Sequence, residues 1–142
     1  MKKLCVLLLV LVSACVSVST DVKLTHEGVP QAELLVFTSR SGLYFGESDK
    51  YFFVLSSDEY ARVKIDAGGH LFQAKNHASP AFELKVNLDP GKTTCIKGHA
   101  NPVVLGAVLI PIIGNTVNHF VLEEVECPSD EVLKTYKLVV NS

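Results

Sequence analysis

Alternation of apolar and polar side chains with a period of two dominates the chain. In AFELKVNL, Phe82, Leu84, Val86 and Leu88 fall on one face, with Glu83, Lys85 and Asn87 on the other. YARVKI repeats the pattern, setting Ala61, Val63 and Ile65 against Arg62 and Lys64. Strands with one dry and one wet face belong in an antiparallel sheet packed on one side. ELLVFT (33–38), KYFFVLS (50–56), HLFQAKN (70–76), KTTCIKG (92–98) and VNHFVLEEVE (117–126) are further candidates. Gly, Pro and Asp punctuate them at intervals of roughly 8–15 residues, the rhythm of a mainly β protein. The expected fold is an antiparallel β-sandwich or small barrel, one β-rich domain over residues 31–142.

Two turns look alike, KIDAGGH and VNLDPGK. In the second, Pro90 presets the first central position and Gly91 supplies positive φ, as a type II turn requires. The pairs 60–66/69–76 and 82–88/92–98 are therefore expected as successive hairpins. Asp66 and Asp89 are read as turn formers rather than metal ligands. One short helix is expected near the C-terminus. PSDEVLKTY offers Ser129 or Asp130 as N-cap, acids in the first turn, and Val132, Leu133 and Tyr136 at helical spacing.

The two ends of the apolar scale lie elsewhere. Met1-Lys2-Lys3 is followed by nine apolar residues, Leu4–Val12, and then by small Ser13 and Ala14. A basic start, an apolar run and small residues in that order make a secretory signal peptide, expected over residues 1–14. The run is too short for a spanning helix, which needs about 20 residues. Ser17-Val18-Ser19 offers one cleavage site, which would release a soluble protein. Val12-Ser13-Ala14-Cys15 resembles the bacterial lipobox, in which the cysteine is diacylated through its thiol. Lipidation at Cys15 is the reading favoured here. Two or more acyl chains, palmitate among them, hold a protein stably on a membrane where one does not. Val16 stands where an aspartate would commonly retain a lipoprotein in the inner membrane, so by resemblance to that sorting rule the outer membrane is expected. Residues 15–30 would form a tether of about 50 Å if extended, leaving the domain facing the periplasm.

Val103–Ile113, in NPVVLGAVLIPIIGN, is the most apolar segment after the leader. One reading is a strand buried on both faces. Gly106 and Pro111 tell against it, since neither suits a central ladder. The other reading is a loop presenting Val104, Leu105, Val108, Leu109, Ile110 and Ile112 as a contact surface toward the bilayer or a protein groove.

Cysteine usage fits an oxidising compartment. Of the four cysteines, Cys5 leaves with the leader and Cys15 takes the lipid, so Cys95 and Cys127 are expected as a disulfide. Removing residues 1–14 takes Lys2 and Lys3 and moves the net charge from −2 to −4. No two basic residues adjoin after Lys3, so a nucleic-acid footprint is absent.

With ELLVFTSRSG, VKIDAGGH and VNLDPGKTTCI in view, the chain resembles a bacterial lipoprotein domain, family 2846 of the domain-of-unknown-function series. Phe37 and Arg40, Ala67-Gly68-Gly69-His70, and Leu88–Ile96 occupy the places of its opening strand and two turn signatures, over about residues 33–127. Ala67 replaces a usual proline, and Cys95 stands where the family tends to place tyrosine. The resemblance implies fold and compartment, and brings no activity with it.

No catalytic arrangement is read from the residues. His26, His70, His77, His99 and His119 show no metal-binding spacing. No GxSxG, P-loop or dinucleotide glycine pattern occurs. Glu124 and Glu126 share a strand face, which is usually a solvated surface. The expectation is a non-enzymatic envelope lipoprotein without cofactors or metals, binding a protein or glycan partner. The alternative is a structural or accessory subunit of an outer-membrane complex.

Overall fold

The computed structural model describes residues 16–103 and 117–142. The leader at 1–14, Cys15 and the proposed contact residues Val104, Leu105, Val108, Leu109, Ile110 and Ile112 lie outside them. The described strands are β1 (Gln31–Thr38), β2 (Leu43–Glu47), β3 (Lys50–Leu55), β4 (Glu59–Asp66), β5 (Gly68–Lys75), β6 (Phe82–Leu88), β7 (Thr93–Ala100), β8 (Phe120–Val125) and β9 (Lys137–Asn141). The helix α1 (Asp130–Leu133) precedes β9. Two sheets pack face to face and do not close into a barrel. One is five-stranded, in the order β8-β7-β1-β4-β9, and the other is β3-β2-β5-β6.

β1 explains this order. Its run ELLVF lacks alternation because both of its faces are covered. Leu34 and Val36 point into the sandwich, while Leu35 and Phe37 form a second cluster with Cys95 and Leu133. Tyr136 meets the Phe37 ring edge-on at 5.6 Å. The side chain of Ser129 accepts the N–H of Val132, capping α1 as expected, and Leu133 is the helix's buried residue. The Cys95–Cys127 disulfide is present and anchors the segment after β8 beneath β1's outer face. Closing a loop of this size contributes about 3.7 kcal/mol in the chain-entropy model.

The sheets are not antiparallel throughout. β1 pairs antiparallel with β4 but parallel with β7, and β4 is parallel to β9. Nor are the two expected hairpins formed. β4 and β5 lie in different sheets, as do β6 and β7, so both glycine turns are corners between layers. The turn chemistry itself is as expected at the second corner. Gly91 has φ +71°, and the Lys92 N–H donates to Asp89 O at 3.2 Å. What redirects the strands is the lead-in to β1. Pro30 O accepts the Ala67 N–H at 2.7 Å, and Gln31 O accepts the Gly91 N–H at 2.8 Å. Both corners are thereby stitched to one end of β1. The hairpins that do form include β2–β3 and β5–β6.

Phe45 sits at the centre of the core, stacked on Phe53 at 5.4 Å and tilted against Phe72 at 5.0 Å. The next residue, Gly46, lies at a register shift between β2 and β3. A Cβ there would collide with the backbone of Lys50 and Tyr51, which cannot yield as a side-chain tip would. Gly46→Ala is expected to cost about 2 kcal/mol or more, by analogy with overpacking. Gly69→Ala, where a Cβ meets nothing within 4 Å, is the control and should change stability by less than about 1 kcal/mol. Urea denaturation of both variants checks the contrast.

Candidate functional site

Two features stand out on the surface. The first is an open cleft of about 460 Å³ at the end of the sandwich away from the two corners. Thr38, fully buried at the end of β1, accepts the Arg40 N–H at 3.0 Å through its hydroxyl. That turn projects Ser39, Arg40 and Ser41 onto the rim. Ser41 Oγ accepts the Ser57 N–H at 3.1 Å, and Ser57 Oγ donates to Ser39 O at 2.9 Å, with a longer contact to Asp58 at 3.4 Å. These hydroxyls tie the β1–β2 loop to the β3–β4 loop.

On the opposite wall, Asn76 Nδ2 donates to His119 Nδ1 at 2.6 Å. Asn101 Nδ2 donates to Asn118 O at 2.8 Å, and the Asn101 N–H to His119 O at 3.0 Å. Those bonds close the base from which residues 102–117 depart. The apolar stretch singled out in the sequence begins at Val103, two residues after Asn101. Val103, at its start, is 62% exposed. Among the described residues the Arg40 guanidinium has no ion pair. The cleft thus combines neutral hydrogen-bonding groups, held rigid by one another, with one uncommitted positive charge. Its residues fall in turns and at strand ends, where sequence patterning carries no sign of a site. Arg40 was singled out there, through the family resemblance, and not for this role.

The second feature is the segment preceding β1. Residues 18–26, expected within a free tether, are laid along the open side of the sandwich between β3 and β9. Val18 bridges to Tyr51, and the Ser19 N–H donates to Tyr51 O at 2.8 Å. Leu24 packs against the core, and its carbonyl accepts the Asp66 N–H at 2.9 Å. His26 then grips Asp66 twice, through its N–H at 2.9 Å and its ring Nδ1 at 2.6 Å. His70 lies beside this clamp, bonded to the Asp66 carbonyl at 2.9 Å and to Glu47 at 3.1 Å. Among the described residues no cluster of histidine, cysteine and carboxylate groups has the makings of a metal site. Glu124 is exposed on β8, as is Glu126 just beyond it. No described helix is long and apolar enough to cross a membrane.

Compared with protein-family models, curated proteins and solved structures, the chain matches none.

The strap has a pH dependence of definite sign. The ring of His26 first, and then its backbone N–H, hold the Asp66 carboxyl below the ordinary carboxylate range. A lowered folded-state value means that the clamp contributes above that range and is lost as pH falls through the lowered value. At neutral pH, Asp66→Ala should therefore raise the exchange of the Ser19 and His26 amides about tenfold through local opening. In the unmodified protein the same loosening should set in only below about pH 4, after correction for intrinsic exchange rates.

Proposed function

We propose that the protein is an outer-membrane lipoprotein, anchored through acylated Cys15 and facing the periplasm. Its sandwich acts as a non-enzymatic binding module for a protein or glycan partner. The anchor is supported by the order of basic, apolar and small residues that ends at Cys15. The binding role is carried by one juxtaposition at the end of the sandwich. Neutral hydrogen-bonding groups from four loops stand beside the Arg40 guanidinium, which has no ion pair among the described residues. Directional neutral groups beside a charge that a partner can pair with are an arrangement by which a partner is both held and oriented.

Metabolic labelling with palmitate tests the anchor. The unmodified chain should take up label, and Cys15→Ser should abolish it and leave the precursor unprocessed. An unmodified protein without label overturns the lipoprotein reading. Co-purification from mildly solubilised membranes tests the module. Arg40→Ala should reduce the retained partner about tenfold or more, as expected for a charge-assisted contact. A companion kept at fixed stoichiometry regardless of Arg40 would instead make the protein a structural subunit.

A further inference from the structure

We propose that the side of the sandwich bordered by β3 and β9 faces the lipid bilayer, at headgroup level. The inference rests on the reading of Cys15 as the acylated residue. What it adds is the direction in which the domain is held.

The controlling quantity is the length of chain left free. Sixteen extended residues would let the domain sit about 50 Å away in any orientation. The strap removes that freedom. Its first fixed point is Val18, bridged to Tyr51 on β3 with the Ser19 N–H on the Tyr51 carbonyl. Only three peptide bonds separate Cys15 from Val18, so their Cα atoms lie within about 11 Å of each other. The far end of the strap is held by His26 on Asp66, and Leu24 is packed between. Slack cannot be drawn from the rest of the segment without breaking those contacts.

The sandwich is asymmetric about this point. β3 packs over β4 at one side and β6 over β8 at the other. The strap lies on the first side, where Phe52, Phe53, Val63 and Val140 line a small cavity of about 270 Å³ beneath it. β6 is the opposite edge of the β3 sheet, three strand spacings or about 14 Å further away. Lipid attached at Cys15 therefore holds β3 close to the headgroups and β6 and β8 away from them. Charge does not choose this side. Lys23 and Lys50 near the strap are offset by Asp21, Glu47 and Asp49. The orientation follows from covalent length.

The test uses full-length acylated protein purified from the envelope and reconstituted into vesicles of phosphatidylethanolamine and phosphatidylglycerol carrying a headgroup nitroxide. Single cysteines for a fluorescent label are placed at Lys50 on β3 (K50C) and at Glu123 on β8 (E123C). Both sites are exposed, and Val54→Cys supplies a second reporter on β3. Mass spectrometry of the N-terminal peptide is read on the same samples. An acylated peptide, with the β3 labels quenched about threefold more than the β8 label over the spacing of about 14 Å, is the result expected. Acylation with equal quenching, or with stronger quenching on β8, overturns the orientation and leaves the anchor standing. A peptide without diacylglycerol overturns the anchor and the orientation together.

Discussion

The two-sided burial of β1 is the constraint on which the rest of the structure depends. A strand whose faces carry Leu34 and Val36 on one side and Leu35 and Phe37 on the other cannot sit at an edge or on an open sheet. It needs partners at both edges, a second sheet over one face, and something apolar over the other. β4 and β7 supply the edges, the β3-β2-β5-β6 sheet covers the inner face, and Leu133 with Tyr136 covers the outer. The short α1 is marginal by length alone, since four residues barely complete a turn. It is held because the cover is required, and the disulfide at Cys127 delivers the chain to it.

The same demand separates what the sequence revealed from what it concealed. Alternating strands such as β4 and β6 were legible because their pattern is intrinsic to a half-buried face. The helix was legible because its cap, dipole partners and apolar spacing are local. Pairing was not, since DPG chemistry reverses the chain equally well within a sheet or between two sheets. Only the hydrogen bonds to Pro30 and Gln31, 37 and 60 residues away in sequence, decide between hairpin and corner. β2 escaped notice because its hairpin turn uses Ser48 and Asp49, both at positive φ, in place of the usual Asn-Gly. β9 escaped because its residues are mostly exposed and its partner β4 is parallel, joined through a long connection with no local signal.

The polar cleft was hidden for a related reason. Ser39, Ser41, Ser57 and Asn101 read as ordinary turn residues and Asn76 as the end of a strand, and their convergence is created by the sandwich bringing four loops to one end. Their hydrogen bonds are spent mostly on one another and on backbone. Those bonds tie the loops of the cleft to one another, and among the described residues they leave the Arg40 guanidinium without an ion pair.

The strap ties the compartment reading to the fold. An exposed strand edge is a template for pairing with other chains, and proteins cover such edges. β3 is an edge strand, and the segment after Cys15 contributes its bridge there, at Tyr51. On the proposed acylation of Cys15 the same contact would also shorten the leash to the membrane, so that edge protection and orientation would be one interaction seen from two sides. Its consequence reaches the opposite side of the molecule. With β3 held down as proposed, β6 and β8 would turn away from the bilayer; β8 begins at Phe120 on the wall of the cleft. In that orientation the cleft would be presented beside the membrane rather than into it, on the side of the aqueous space.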